Sequence, residues 1–245
     1  LIESIVIHKN KIMLTMNSFQ KEEIAAIEKK NPALSRRKFL GYAGAATGLM
    51  AGLAACSKNS TTSDTGVDLL TGDYGILNYA YALEQLEAAF YTQVIATPYS
   101  GITADETIRL TEIRDHEIAH REFLKNALGA KAIVALEVNF TSINFASRDS
   151  VLATAKAFED LGVSAYNGAG KLITNPDYLV LAGKIVSVEA RHAAYIRNLV
   201  SAGSFADNTI LDVNGLDKSR TPPEVLAIAS VYIKTKINAS NLPTS

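Results

Sequence analysis

Apolar and aromatic residues recur at helical spacing along Ile76–Ile95, where Leu77, Tyr81, Leu83, Leu86, Phe90, Tyr91 and Val94 mark a first helix. Pro98-Tyr99-Ser100-Gly101 reads as a turn. After the apolar Ile102, Thr103-Ala104-Asp105-Glu106 reads as a capping box opening a second helix, which runs to about Leu128 and stops at Gly129. A third helix is expected over roughly Arg148–Ile173. Asn175-Pro176, a cap followed by proline at the first helical position, opens a fourth that ends before Gly203. Between the second and third helices, Ala130–Ser147 has no clean helical period. The spacing of two in Val138/Phe140 and Ile143/Phe145 would also suit a strand or hairpin, but a long packed connection is the preferred reading. Asp207–Arg220 reads as loop, and Thr221-Pro222-Pro223-Glu224 opens a short fifth helix to about Ile237. The pattern predicts an all-α chain: four long helices in two hairpins, one long crossover between helices 2 and 3, and a short C-terminal fifth helix.

The amino-terminal quarter is patterned differently. The sequence begins at Leu1, with Met13 and Met16 as candidate start residues, and residues 1–34 are polar. Ser35-Arg36-Arg37-Lys38-Phe39-Leu40 then precedes the Gly/Ala-rich apolar stretch Gly41–Ala55. That stretch is long enough for a signal-peptide core and short of the ~20 residues a membrane-spanning helix needs. The arginine pair matches the twin-arginine export signal. Leu53-Ala54-Ala55-Cys56 resembles the lipobox of bacterial lipoproteins, in which the cysteine is acylated, so Cys56 is the candidate lipidation site. Ser57–Gly72 is rich in Ser, Thr and Asp and reads as a flexible spacer. The expected organisation is therefore 1–56 signal segment, 57–72 spacer, 73–203 helical bundle and 204–245 C-terminal loop and helix.

Composition narrows the chemistry. Cys56 is the single cysteine, which rules out an internal disulfide, a cysteine-based zinc site and an iron–sulfur cluster. From Ser57 onward there are 16 basic and 21 acidic residues, a net of about −5, which argues against nucleic acid as a partner. All three methionines lie before Cys56.

Only four histidines occur (His8, His116, His120, His192), and two of them carry glutamate three residues earlier: Glu117-x-x-His120 and Glu189-x-x-His192. That spacing stacks both side chains on one helix face, where carboxylate and imidazole together suit a divalent transition metal. The first and third helices contribute Glu84, Glu87 and Glu159. An internal repeat separates the first two. Leu83-Glu84-Gln85-Leu86 through Tyr91 aligns with Phe158-Glu159-Asp160-Leu161 through Tyr166, each glutamate being followed by tyrosine at +7. Hairpin spacing points instead to Glu87, because 117 − 87 and 189 − 159 are both 30. Helix-face register constrains geometry more than loop length does, so Glu84 is preferred, and Glu87 is the reserve ligand or a support behind the ligands. Tyr91 and Tyr166 could each hydrogen-bond a ligand or an oxidised intermediate, but core packing with a hydroxyl at the rim is the preferred reading; His116 reads as outside the site and Asp160 as solvated. Arg191 and Arg197 read as surface charges or as supports behind the ligands.

The order Glu, Glu-x-x-His, Glu, Glu-x-x-His resembles the ferritin-like superfamily of di-metal carboxylate proteins, and within it the exported, desiccation-related-type branch; the resemblance covers roughly Tyr74–Val200. In that fold one Glu from each of two helices and Glu-x-x-His from each of the other two project inward. Bacterioferritins and ferritins likewise carry tyrosine seven residues after the first-helix glutamate. The resemblance implies Glu84, Glu117, His120, Glu159, Glu189 and His192 as metal ligands. It departs in lacking a methionine for bacterioferritin's haem and the rubredoxin-type cysteines of rubrerythrins, and a lipid tether ill suits a closed cage.

The implied cofactor is two divalent metal ions, iron or manganese, which suit an oxygen-rich set with borderline nitrogens. The implied function is that of a lipid-anchored, periplasmic or cell-surface di-metal oxidoreductase acting on O₂ or peroxide with an outside electron donor. Peroxidase, catalase-like and ferroxidase activities all belong to that class. A second expectation is a metal-holding or stress-protective bundle without turnover, and a third is a purely structural bundle that binds partner proteins.

Overall fold

A computed structural model describes residues 66–244. The twin-arginine segment, Cys56 and the spacer up to residue 65 lie outside the described residues. In chain order the described elements are β1 (Val67–Asp68), α1 (Gly72–Ala96), α2 (Ala104–Leu128), a 3₁₀ turn (Gly129–Lys131), α3 (Arg148–Gly170), α4 (Pro176–Val200), α5 (Pro222–Ala229) and β2 (Ile237–Asn238). Among the described residues no helix is long and apolar enough to cross a membrane.

The helices begin where capping chemistry satisfies their first free N–H groups. Thr103 Oγ1 accepts from Glu106 N while Glu106 Oε2 accepts from Thr103 N, closing the capping box of α2. Asn175 caps α4 through Asp177 N, with Pro176 at the first helical position. Ser147 caps α3. α5 is shorter than its apolar pattern suggested, because the chain turns after Ala229 so that Ile237–Asn238 can pair in parallel with Val67–Asp68.

α1 packs along α2, α3 packs along α4, and α1 also meets α3, which makes two hairpins of one four-helix bundle. The chain between α2 and α3 is the expected packed crossover, containing no named helix or strand beyond the opening 3₁₀ turn. It lies over α1 and is pinned there by buried amides. Asn78 donates to the carbonyls of Leu69 and Lys131 and accepts from Ile133 N, and Gln85 accepts from Leu136 N. The C-terminal segment adds to this cover: Asn139 N donates to Tyr232 O, and Tyr232 meets Phe158 edge-on at 4.8 Å. Consequently α1 is buried without interruption from Gly75 to Ala88, glutamates included. At Gly168 of α3 the Arg220 carbonyl passes so close that a β-carbon would sit 1.7 Å from it, so only glycine lets the C-terminal loop dock there.

Candidate metal centre

α2 buries Glu106, Leu110, Ile113, Glu117, Leu124 and Leu128, a core stripe in which Glu117 occupies a position that otherwise calls for an aliphatic side chain. α4 does the same with Ile185, Glu189, His192, Ala193 and Ile196. α1 and α3 contribute Glu84 and Glu159. All four carboxylates are fully buried.

The six residues meet at one place. His120 Nδ1 lies 2.8 Å from Glu189 Oε1, 3.5 Å from Glu84 Oε2 and 3.8 Å from Glu117 Oε2. His192 Nδ1 lies 2.8 Å from Glu117 Oε1, 3.6 Å from Glu159 Oε2 and 3.9 Å from Glu189 Oε2. The two groups, Glu84·Glu117·His120·Glu189 and Glu117·Glu159·Glu189·His192, each offer one ligand atom per residue within 4.8 Å of one another. Glu117 and Glu189 belong to both groups and turn one oxygen toward each histidine. Glu84 and Glu159 serve one group each. Glu87 belongs to neither.

Eight of these buried atoms make no well-aligned hydrogen bond and have one another as their close polar contacts: both oxygens of Glu117 and Glu189, Glu84 Oε2, Glu159 Oε2, and the Nδ1 atoms of His120 and His192. Buried polar atoms left so are costly and rare. A convergent set of eight, oxygen-rich with two imidazole nitrogens, has the donor chemistry that could hold divalent metal.

Without metal, the site must manage its charge with protons. Burial, opposed by His120 and reinforced by Glu117, pushes Glu84 up to about 7. Burial and the charges of Glu117 and Glu84 drive Glu189 well above the carboxylate range, and burial also raises Glu159. Burial acts upward on Glu117 too, but the two histidines facing it prevail and hold it at about 2. Burial disfavours the imidazolium of His120, yet Glu117, Glu189 and Glu84 outweigh it and raise the ring to about 12. His192 is raised to about 11 in the same way by Glu117 and Glu159. The two imidazolium ions thus stand where cations are wanted.

Three neighbours lie closer to the centre than the sequence suggested. Tyr166 donates to Glu84 Oε1 and Tyr91 to Glu159 Oε1, both at 2.5 Å, so neither tyrosine is simple core. Each bond occupies one carboxylate oxygen and leaves the other free to face a histidine. His116, outside the ligand set as expected, nevertheless sits 2.9 Å from His192 Nε2 through its Nδ1, with the rings stacked. Glu87 is buried beside Gly162, where a β-carbon would come within 3.1 Å of Glu87 Oε1 and 3.6 Å of Glu189 Oε2. Burial and the charge of Glu189 keep Glu87 well above its ordinary pKa. The +7 tyrosine in both halves of the repeat was the available sequence signal for the first pair; His116 and Gly162 had none.

Two further expectations need correcting. Asp160 is not solvated: its Oδ2 accepts from Arg197 Nη1 at 2.6 Å. Arg197 is buried and also donates to Asp207, Thr209 and the Ser204 carbonyl, tying the chain after α4 back onto the bundle. Arg191 is exposed.

The sequence model of a family described as a ferritin-like domain matches residues 72–202, just over half the chain and the whole of the four long helices. No curated protein matches the sequence.

Proposed function

The chain belongs to the ferritin-like domain family, and from that premise we propose that it holds two iron or manganese ions between α1–α4 and reduces peroxide or O₂. What supports this is the convergence of eight buried donor atoms with two glutamates shared between both groups. When bound there, such ions would supply the two electrons that, with two protons, convert hydrogen peroxide to two waters.

The chain's own residues then have distinct tasks. Glu117 and Glu189, common to both groups, would contribute to holding both ions, Glu84 with His120 one of them and Glu159 with His192 the other. Tyr166 and Tyr91 fix the outer glutamates by one oxygen and so present the other. His116 orients the His192 ring through its far nitrogen. Glu87, kept protonated by burial and the charge of Glu189, would be an acid able to supply a proton at the centre. An outside donor restores the electrons.

Twin-arginine export followed by acylation at Cys56 would place this bundle on the outer side of a bacterial membrane. Twin-arginine transport moves folded protein, which suits a cofactor loaded beforehand. The acylation is tested by incorporation of labelled palmitate, which Cys56→Ser should abolish.

The decisive experiment for activity loads purified protein anaerobically with ferrous ion and adds one equivalent of peroxide. The expected result is oxidation of bound iron that Glu159→Ala suppresses. Tight loading with no oxidation by peroxide or O₂ would instead identify a metal-holding bundle without turnover.

A further inference from the structure

One helical turn from the metal centre the bundle core is incompletely filled. Ala80 lies four residues before Glu84, Leu124 four after His120 and Ile185 four before Glu189, so all three share a face with those residues one turn, about 5.4 Å, along the bundle. They line a cavity together with Tyr166, the residue bonded to Glu84. The free space is ≈ 20 Å³. Roughly 10–15 Å³ accommodates one water-sized molecule, so a diatomic fits and an acyl chain or aromatic ring does not. Among the side chains lining it, the hydroxyls of three tyrosines are the only polar groups, and that of Tyr166 is already committed to Glu84. Water needs two to four polar partners in such a space. The cavity therefore favours a small apolar guest over water or peroxide. Its outer wall includes Phe123, 40 % exposed, between α2 and α4.

The internal repeat shows how the space arises. Pairing Glu84 with Glu159 pairs Phe90 with Ala165 and Val94 with Ala169. Phe90 and Val94 fill the core at the other end of the site, where Phe90 packs on Phe140, Phe145 and Phe158. Ala165 and Ala169 line the cavity. The surroundings of the centre are thus unequal: an apolar cavity one turn beyond Glu84 and His120, and the exposed imidazole of His116 beside His192.

Building on the reading that the centre reacts with an oxidant, we infer that this cavity is the binding pocket through which dioxygen reaches the Glu84·His120 side, while peroxide enters elsewhere. Crystals of the full chain pressurised with krypton should show the gas beside Ala165 and Ala169. Ala165→Leu should abolish that peak, as should the milder Ala169→Val if the first variant folds poorly. In ferrous-loaded protein, the same substitutions should slow oxidation by O₂ several-fold and leave oxidation by hydrogen peroxide unchanged. No krypton in the wild-type cavity, ordered water in its place, or equal slowing with both oxidants would overturn the inference. Should the loaded protein react with neither oxidant, the proposed function falls, and the krypton measurement alone still decides whether the cavity admits an apolar gas.

Discussion

Tyr166 of α3 donates to Glu84 of α1 at 2.5 Å, and Tyr91 of α1 returns the same bond to Glu159 of α3. The two halves of the internal repeat therefore clamp one another's glutamate. Each phenol stays protonated, because burial and then the carboxylate beside it push its ionisation well above the usual range. Replacing either by phenylalanine leaves a buried carboxylate oxygen without a partner and the outer ligand free to turn. Tyr91→Phe should weaken metal binding by roughly 10–100-fold, mainly for the ion next to Glu159 and His192. Stepwise metal titration of both variants tests this, and unchanged affinities would contradict the clamp.

Glu189 has its folded pKa raised, so its ionisation opposes folding of the metal-free protein. The penalty is absent below the unfolded value near 4.5 and grows as pH rises above it. Glu189→Gln removes the charge while keeping the volume. The metal-free variant should be more stable than wild type at pH 8 by about 1 kcal/mol or more, and little different at pH 4.5. Urea unfolding at both pH values measures the difference; destabilisation at pH 8 would be the wrong sign.

Metal must displace protons from His120 and His192, whose rings are held charged up to about 12 and about 11 by the carboxylates facing them when no metal is bound. Loading at pH 7 should therefore release at least the two imidazole protons per chain. Titration calorimetry in buffers of differing ionisation enthalpy counts them, and release of none would show that the histidines are neutral beforehand.

Arg197 stands apart from the centre and tests the scaffold. It is 1 % exposed and joins Asp160, Asp207 and Thr209. Arg197→Ala should cost about 3 kcal/mol, since it leaves Asp160 half-buried and uncompensated. Metal stoichiometry at saturating concentration should not change. Asp207 is held at about 2 by Thr209 and then Arg197, so its stabilising effect is complete above the ordinary aspartate value and is lost as pH falls toward 2. Asp207→Asn should remove that dependence from acid melting curves.

The four long helices and the two Glu-x-x-His pairs were legible because each depends on local spacing, and the register of the repeat favoured Glu84, which the structure places in the cluster while Glu87 stands outside it. What was not legible depends on partners distant in sequence. Asp160 follows Glu159 and points about 100° away, which on a lone helix means solvent; here that direction faces Arg197 and the loop beyond α4. Tyr91 and Tyr166 have the apolar bodies of core residues, and only the pairing of α1 with α3 brings their hydroxyls to the carboxylates. Asn78 and Gln85 on α1 gave no hint that the crossover's backbone would bury them both.

Crystals grown with iron or manganese, with anomalous scattering recorded at that metal's edge, examine the centre itself. Two peaks per chain are expected, each bonded by Glu117 and Glu189, one also by Glu84 and His120 and the other by Glu159 and His192. A single peak, or less than about half an equivalent of either metal, would contradict a dinuclear site.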